Sequence, residues 1–275
     1  MSAPVFLVEQ GVLAATRPGG TYLLDGAEGR HAGVVQRRCA GERVDVVDGA
    51  GVRLECLVGA VGGEGVTLQI VARTDEPASE VALVLVQALA KGDRDELAIE
   101  AATEVGTDAV VPWQAERSVV VWRGDRAAKS RSRWLGTVRA AAKQSRRAWI
   151  PEVELALDGR GLVERVQRTI DAGGVALVLH EEASEPLARV DLARLGATQV
   201  ADDGPAATAH GTRAVGQRRE VLVVVGPEGG ISARELEALV GAGAIAVRLG
   251  PHVLRTSTAG PIALALLAQR LGRWG

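Results

Sequence analysis

Short β-branched runs separated by turn residues dominate the first quarter of the chain. Three such runs cover residues 44–47, 52–61 and 66–72. Asp48-Gly49-Ala50-Gly51 and Gly62-Gly63-Glu64-Gly65 separate them at the spacing of β-hairpins. Residues 1–75 are therefore predicted to form a small β-rich domain. The polar, proline-bearing stretch 74–79 is the predicted domain boundary.

After residue 80 the apolar runs become longer and nearly uninterrupted. Strands are predicted over residues 81–89, 109–111, 175–179, 221–225 and 244–249. Solid apolar blocks are typical of strands that are buried on both faces, which occur in parallel sheets covered by helices. Residues 80–275 are therefore predicted to form an α/β domain with a mostly parallel sheet.

A helix is predicted between the first two of these strands. It follows Lys91-Gly92-Asp93-Arg94 and runs to Val105, and Gly106 is a suitable residue for its C-terminal cap. Leu97, Ala101 and Val105 are spaced four residues apart, so they share one face.

Composition narrows the class of protein. Hydrophobic residues make up 47% of the chain and charged residues 24%, which excludes general disorder. The net charge is −2, so any nucleic-acid site must be a local basic patch. Cys39 and Cys56 are expected to be reduced core thiols rather than a disulfide. We expect a cytoplasmic protein, because no signal peptide and no apolar run of membrane-spanning length is apparent.

The strongest local motif is a glycine-rich loop after the strand at 221–225. The loop is Gly226-Pro227-Glu228-Gly229-Gly230, and Ser232 with Glu235 then forms a capping box that opens a helix. Glycines allow a ligand to approach the backbone closely. From the residues alone, a ligand site and a tight turn that binds nothing remain equally open. The motif lacks the Gly-Lys-Ser/Thr of a P-loop and the spacing of a dinucleotide fingerprint.

A second loop of the same kind follows the last predicted strand. Leu249-Gly250-Pro251 ends that strand, and residues 252–258 lead into a C-terminal helix. Pro261 fits this helix only if it lies in the first turn. Two Gly-Pro turns at strand ends of one sheet are expected to form neighbouring edges of one ligand site.

At this point the chain resembles the RsmE family, 16S ribosomal RNA uridine-N3 methyltransferases of the SPOUT superfamily. The resemblance is carried by Gly226–Gly230 and by Leu249-Gly250-Pro251-His252-Val253-Leu254-Arg255-Thr256. Further matches occur in the same order along the chain, at residues 88–94, 102–106, 116–118, 144–145, Pro151 and 179–181. His31 and the Asp48-Gly49 turn extend it more weakly to the N-terminal domain.

The resemblance implies a trefoil knot in the C-terminal domain and a PUA-like β-barrel at the N-terminus. It also implies a homodimer formed through the knotted domains, no metal, and S-adenosylmethionine as cofactor. The residues implied to bind the cofactor are Leu179, His180, Gly226, Pro227, Glu228, Gly229, Gly230, Leu249, Gly250, Leu254, Arg255 and Thr256.

The chain departs from the family pattern in two places. Val5 stands beside Phe6 where the family usually carries an arginine expected to contact RNA. The polar segment from Ala183 to Glu220 is longer than expected of the family, and most of it is interpreted as a surface insertion.

Methylation of uracil N3 requires loss of the imide proton and stabilisation of negative charge on the carbonyl groups. Arg255 is the candidate for that electrostatic role, with Thr256 or Ser257 as supporting donors. Glu228 or His180 is the candidate proton acceptor. The alternatives are a phosphate clamp for Arg255, a backbone hydrogen bond for Glu228 and simple packing for His180.

The substrate is expected to be 16S ribosomal RNA of the small subunit, with the target base exposed from its pairing. Nine basic residues against one acid between Arg123 and Arg147 predict an RNA footprint, although a solvated helix face is the alternative. The residues predicted to bind RNA are Arg30, His31, Arg37, Arg38, Arg117, Arg131, Arg133, Lys143, Arg146 and Arg147.

Three other functions remain open from the sequence. The chain could be another knotted enzyme that methylates a ribose 2′-hydroxyl of tRNA, or an RNA-binding protein of the same fold without turnover. A nucleotide-dependent oxidoreductase is the third, but the chain lacks its fingerprint.

Overall fold

The hairpin predicted from the turn at 62–65 forms the centre of the N-terminal sheet. In the computed structural model, which describes residues 3–196 and 218–274, β3 (Arg43–Val47), β4 (Val52–Gly62) and β5 (Gly65–Asp75) pair antiparallel in succession. Gly62 pairs with Gly65 across the two-residue turn. A Cβ at Gly65, whose φ is 143°, would lie 2.3 Å from the Leu24 carbonyl oxygen, so this position requires glycine.

Two short strands that the apolar pattern did not predict complete this sheet. They are β1 (Val5–Leu7) and β2 (Thr21–Leu24), and the strand order is β1-β3-β4-β5-β2. After β2 come α1 (Gly26–Arg30) and one π-helical turn over His31–Val35. Phe6, Leu54 and Leu68 are fully buried in the core of the sheet.

The two cysteines differ in their surroundings. Both are free thiols. Cys56 is buried in the core, and this burial raises the pKa of its thiol to about 12. Cys39 is exposed, so the prediction of two core thiols is wrong for Cys39, which follows the π-helical turn on the surface.

The chain divides into two compact units, and the first contains a segment from far along the sequence. Met1–Ala78 and Ala142–Ile150 form one unit, and Ser79–Ala141 with Pro151–Gly275 form the other. Within the first unit, Val5, Leu7 and Val47 pack against Ala148. Val5 is 4% exposed, so this side chain belongs to a core.

The second unit is built on a seven-stranded sheet whose neighbouring strands are all parallel, which confirms the predicted α/β class. The strand order is β10-β12-β9-β11-β6-β7-β8. The strands are β6 (Val81–Ala88), β7 (Ala109–Trp113), β8 (Glu152–Val153), β9 (Val175–Leu179), β10 (Glu185–Pro186), β11 (Arg219–Val225) and β12 (Ile245–Arg248).

Helices connect these strands and cover the sheet. They are α2 (Arg94–Val105), α3 (Asp125–Gln144), α4 (Gly159–Asp171), α5 (Ala193–Gly196), α6 (Ala233–Gly241) and α7 (Thr256–Arg270). Leu162 and Val166 of α4 and Leu239 of α6 pack on one face of the sheet. On the other face, α7 packs against β6, β11 and α2. Within the described ranges, no helix combines the length and apolar character needed to cross a membrane.

One prediction about helices is confirmed and another is wrong. Helix α2 ends at Val105 with Gly106 as its C-cap, as predicted, and Ala98, Ile99 and Ala102 are its buried residues while Leu97 is 49% exposed. Pro261 lies beyond the first turn of α7, which begins at Thr256. At the neighbouring Gly260 a Cβ would meet Leu85 at 2.8 Å, so α7 approaches the sheet very closely.

Regular secondary structure occupies both ends of the segment from Ala183 to Glu220, which was predicted to be mostly a surface insertion. Strand β10, a 3₁₀ turn at Leu187–Arg189 and α5 occupy its first part, and β11 begins at Arg219. Strand β10 pairs with β12, so this part belongs to the sheet domain. The rest of the predicted insertion, residues 197–217, lies outside the described residues.

Candidate active site

The two glycine-proline loops lie at one edge of the parallel sheet. Strands β12, β9 and β11 are neighbours, with Val247 paired to Leu179 and Val178 paired to Val224. Because the strands are parallel, the segments that follow them, 179–180, 226–230 and 249–255, leave from the same edge. The side chains of Leu179, Leu249 and Leu254 are half-buried there. This edge therefore offers both backbone polar groups and an apolar surface to a ligand.

The loop between β11 and α6 is held by local geometry. Gly230 has a φ of 74°, in the left-handed region that favours glycine. Ser232 and Glu235 form the predicted capping box, with Ser232 Oγ accepting from Glu235 N at 3.1 Å. A carboxylate oxygen of Glu235 also accepts from Glu116 N at 2.8 Å, which ties the start of α6 to the loop after β7.

Glu228 connects this loop to the loop between β6 and α2. Its Oε1 accepts a hydrogen bond from Lys91 N at 3.2 Å and one from Arg94 Nη1 at 2.7 Å. Burial raises the pKa of Glu228, but hydrogen bonds from its own backbone N–H, from Arg94 and from Lys91 outweigh burial, and the net pKa is lowered. A lowered pKa makes Glu228 a weaker base than an ordinary glutamate and favours a role in holding the loop.

Arg117, which is predicted to bind RNA, contacts the same glycine-rich loop. Its Nη1 donates to the Gly229 carbonyl oxygen at 3.0 Å. A Cβ at Gly229 would lie 3.1 Å from Arg117 Cβ, so the two segments are in close contact. Arg117 itself is exposed.

The start of α7 carries two residues with very different surroundings. Arg255 is the exposed N-cap residue, and within the described part of the chain its guanidinium has no hydrogen-bond or ion-pair partner. Thr256 is 7% exposed, and its Oγ1 donates to the Gly226 carbonyl oxygen at 2.7 Å. The only hydroxyl proton of Thr256 is thereby committed. Ser257 is the better candidate for a donor to a substrate.

Sequence reasoning missed Gln87, which lies directly beneath this contact. Gln87 is fully buried on β6, and its Nε2 donates to Thr256 Oγ1 at 2.9 Å. A single amide within the apolar run 81–90 was the signal that could have revealed it.

Asp95, on the first turn of α2, is a second residue that sequence reasoning missed. It is 2% exposed, and burial raises the pKa of its carboxyl group to about 6, although backbone N–H groups of Glu96 and Ala90 bond to it. A carboxyl group with such a pKa near a ligand edge is a candidate functional group.

His180 follows β9 at the same edge. Its backbone N–H donates to the Val247 carbonyl oxygen at 3.0 Å, which continues the pairing of β9 with β12. Its Nδ1 accepts from Glu182 N at 3.3 Å, so the neutral ring carries its proton on Nε2. The ring is half-buried and its orientation is set by the turn that follows.

The basic residues of α3 fall into two groups. Arg131 is half-buried, and its guanidinium donates to the carbonyl oxygens of Val153 and Glu154. Arg133 forms an ion pair with Glu96. Arg126, Lys129 and Arg139 are exposed and have no side-chain partner among the described residues. The exposed basic surface of α3 is therefore formed by this set rather than by Arg131.

In the first unit, several residues predicted to bind RNA surround Phe6. Lys143 Nζ lies 5.3 Å from the centre of the Phe6 ring and bonds to both carboxylate oxygens of Glu28, at 2.6 and 2.8 Å. The His31 ring contacts Phe6 edge-on, with 6.2 Å between the ring centres. Lys143 and His31 therefore have a packing role in this unit.

The remaining predicted RNA contacts of the first unit differ in exposure. Arg38 bonds to Gln36 and Glu42, and Arg147 is half-buried. Arg30, Arg37 and Arg146 are exposed. Arg37 and Arg146 have φ values of 51° and 60°, which are uncommon for residues other than glycine, and each lies just after a helical segment, where such values occur.

Comparison with known proteins identifies the class of this fold and site. Residues 77–268 match the family of RNA methyltransferase domains, so the chain belongs to that family. It is 43% identical to ribosomal RNA small subunit methyltransferase E of Mycobacterium tuberculosis over 256 residues, which cover 93% of this chain and 89% of that protein. The Bacillus subtilis protein of the same name is 29% identical and aligns over 90% of both chains. The chain belongs to the ribosomal RNA small subunit methyltransferase E family.

Solved structures share the fold over nearly the whole chain. A protein of Legionella pneumophila described as a methyltransferase, solved in complex with S-adenosylmethionine, is 25% identical with a TM-score of 0.74 and 98% of each chain aligned. A ribosomal RNA small subunit methyltransferase E of Neisseria gonorrhoeae, 24% identical with a TM-score of 0.76, has the same fold.

Proposed function

We propose that this protein transfers a methyl group from S-adenosylmethionine to N3 of one uridine in 16S ribosomal RNA. The observation that carries the proposal is an exposed Arg255, without a side-chain partner among the described residues, beside two loops that the Thr256–Gly226 hydrogen bond holds together at the sheet edge. Membership of the methyltransferase family and the uridine-N3 resemblance of its motifs support the same reaction.

The residues at this edge fit S-adenosylmethionine. Half-buried Leu179, Leu249 and Leu254 suit the faces of an adenine ring, and the backbone of Gly226–Gly230 suits its polar ends. The Legionella structure supports this choice, because that protein was solved with the same molecule. When bound, the cofactor supplies an electrophilic methyl group on a sulfonium centre, and no metal is needed. The described residues contain no cluster of three potential metal ligands.

The charge of Arg255 is the main contribution of the chain to the chemistry. A guanidinium beside the uracil carbonyl groups stabilises the anion that forms when N3 loses its proton. Ser257 is the supporting hydrogen-bond donor. Of the two candidate proton acceptors, Glu228 has a lowered pKa and two hydrogen bonds to its carboxylate, and His180 Nδ1 already accepts from Glu182 N, so neither is preferred over the other.

Binding of RNA is assigned to two basic surfaces. In the sheet unit, exposed Arg126, Lys129 and Arg139 of α3 can contact phosphates, and contacts of this kind make affinity depend on salt. In the N-terminal unit, Arg30, Arg37 and Arg146 are exposed. We assign to residues 1–75 the role of a PUA-like RNA-binding domain, in keeping with the five-stranded sheet and the family resemblance.

We further propose that the sheet domain, residues 80–275, is knotted and that two copies pair through it, as the family resemblance implies. Leu97 of α2 and Ile262 and Leu266 of α7 are 49%, 39% and 44% exposed, and these two helices pack on each other. Exposed leucines and isoleucines on adjacent helices suit a self-complementary interface. The cytoplasm, where ribosomes assemble, is the proposed location.

Mass mapping of modified nucleosides tests the function. 16S RNA from cells lacking this gene is predicted to lose one N3-methyluridine, and the wild-type gene but not Arg255→Ala restores it. Loss of a ribose methyl from tRNA instead would indicate the alternative knotted enzyme. An unchanged profile would leave only an RNA-binding role without turnover.

A further inference from the structure

Gln87 is a polar residue in an otherwise apolar strand. Strand β6 reads Val-Ala-Leu-Val-Leu-Val-Gln-Ala, and Gln87 is 0% exposed within it. The strand lies between β11 and β7, where Gln87 pairs with Val225 on one side and Pro112 on the other. Burial of an amide group is costly unless its polar atoms are bonded, so the contacts of Gln87 identify what it does.

The Gln87 side chain begins a hydrogen-bond relay across three distant parts of the chain. Its Nε2 donates to Thr256 Oγ1 at 2.9 Å, and Thr256 Oγ1 donates to the Gly226 carbonyl oxygen at 2.7 Å. The relay joins β6, the first residue of α7 and the end of β11. It therefore sets the distance between the two loops to which the cofactor is assigned.

The direction of the relay requires a donor at position 87. A threonine hydroxyl has one proton, and that of Thr256 goes to Gly226. Thr256 Oγ1 can then only accept from residue 87, which an amide N–H satisfies and an apolar side chain does not. Leucine or methionine would fill the same space without supporting the hydroxyl.

The amide oxygen of Gln87 argues against a purely structural role. Gln87 Oε1 is buried and has no hydrogen-bond partner within the described residues. An unbonded buried acceptor destabilises the fold, so an apolar side chain of the same shape would remove this penalty, which offsets the loss of the two hydrogen bonds that Nε2 donates to Thr256 Oγ1 and to the Ala88 carbonyl oxygen. Residues that lower stability in this way are typical of functional sites.

We propose that Gln87 is a positioning residue for the methyl donor, which acts through Thr256 to fix the Gly226–Gly230 loop against the start of α7. The inference rests on the proposed function, because it assigns the cofactor to these loops. Gln87 itself touches neither the donor nor the RNA.

The first variant is Gln87→Met, which keeps the volume and removes the donor. The melting temperature is expected to stay equal or rise, while the Kd for S-adenosylmethionine, measured by calorimetry, rises about tenfold, the factor that about 1.4 kcal/mol represents. A variant that binds the donor more weakly without a lower melting temperature would have lost a positioning residue, whereas a packing residue would lower both affinity and stability. Gln167→Met, which changes an exposed glutamine on α4, is the matched control and leaves both quantities unchanged.

The second variant, Gln87→Glu, adds a pH readout. A glutamate buried at this position has a raised pKa, and only its protonated form can donate to Thr256 Oγ1. The ratio of variant to wild-type Kd is therefore expected to fall as the pH is lowered from 8 to 6. In a double-mutant cycle, Gln87→Met is expected to cause no further loss of affinity once Thr256→Val has removed the hydroxyl.

The outcomes separate this inference from the function on which it rests. If the wild-type protein does not bind S-adenosylmethionine, the proposed function fails and the inference fails with it. If the wild type binds but both Gln87 variants bind equally well at every pH, the function stands and the positioning role is wrong. A Gln87→Met protein that loses affinity and melting temperature together would also overturn it, since that result describes a packing residue.

Discussion

Arg94 Nη1 lies 2.7 Å from Glu228 Oε1 and joins two loops that are 134 residues apart in the sequence. Lys91 N adds a second hydrogen bond to the same oxygen. The pair is partly exposed, so its direct contribution to the free energy of unfolding is at most about 1 kcal/mol. Its consequence is local: it holds the Gly226–Gly230 loop against the segment after β6.

Arg94→Ala is predicted to weaken binding of S-adenosylmethionine with little change in the free energy of unfolding. Loss of the guanidinium leaves Glu228 with only the longer hydrogen bond from Lys91 N and loosens the loop, so the Kd is expected to rise by a factor of about 3 to 10. Calorimetry checks this, with Arg168→Ala on the exposed side of α4 as a charge-matched control. Equal affinities for wild type and Arg94→Ala would show that the loop does not depend on the pair.

Arg255→Ala is predicted to reduce kcat by a factor of roughly 10² to 10³, which is typical for loss of one group that stabilises an anionic transition state. Its effect on the donor Kd is expected to be far smaller. Arg255→Lys keeps the charge without the planar donors and should recover part of kcat. Single-turnover methylation measures the rate, with Arg248→Ala on β12 as the control. A loss confined to KM for RNA would instead assign Arg255 to a phosphate.

The two groups of basic residues on α3 are predicted to respond to substitution in different ways. Replacing Arg126 and Lys129 by alanine should lower RNA affinity and reduce the slope of log K against log salt by roughly 1 to 2, because phosphate contacts are lost. The melting temperature should not change. Arg131→Ala removes hydrogen bonds to Val153 and Glu154, which predicts a loss of about 1–2 kcal/mol in the free energy of unfolding. If Arg131→Ala instead lowers RNA affinity, and the alanine replacements of Arg126 and Lys129 do not, RNA binding would be assigned to Arg131.

Asp95 predicts a pH dependence of stability. Its pKa is about 6 in the folded protein and near 3.8 in the unfolded chain, so between these values the folded state binds more protons. The free energy of unfolding therefore falls as the pH rises through this window and stays lower above pH 6. A pKa difference of this size corresponds to about 2–3 kcal/mol.

Asp95→Asn removes this penalty, so the variant is expected to be more stable than wild type at pH 7.5 and to lose its advantage near pH 4. Urea unfolding at both pH values measures the difference. Glu100→Gln, an isosteric change at an exposed position of α2, is the control. A stability gain that does not vary with pH would mean that Asp95 is ionised throughout.

The exposed apolar residues of α2 and α7 predict the oligomeric state. Leu266→Arg places a charge on the proposed interface and is expected to convert the dimer to a monomer in sedimentation experiments. Val240→Arg, at a similarly exposed position of α6, is the control and should leave the dimer intact. A wild-type monomer at micromolar concentration would contradict the proposed dimer.

The sequence predicted the sheet domain better than the N-terminal unit for a physical reason. Buried parallel strands appear as solid apolar blocks, so β6, β9 and β11 were visible in the pattern. Strands β1 and β2 have three and four residues, too few to show a period. The grouping of Ala142–Ile150 with the N-terminal unit depends on packing between distant segments, which no local pattern encodes.

The candidate site shows the same difference between local features, which the sequence pattern reveals, and contacts between distant residues, which it does not. The glycine-proline loops were predicted because turns and caps are local, and the Ser232–Glu235 capping box was confirmed. Gln87 was missed because its partner Thr256 is 169 residues away. The lowered pKa of Glu228 likewise depends on Arg94, a neighbour in space but not in sequence. Which residue acts as base or donor could therefore not be decided from motifs.

The most direct test of the proposed reaction is transfer of an isotope-labelled methyl group in vitro. Small ribosomal subunits from cells lacking this gene are incubated with the purified protein and labelled S-adenosylmethionine, and the nucleosides are then analysed by mass spectrometry. One labelled methyl group per 16S RNA is expected, on N3 of a uridine. Label on a ribose, or no label on RNA from a wild-type protein that binds the donor, would contradict the proposed reaction.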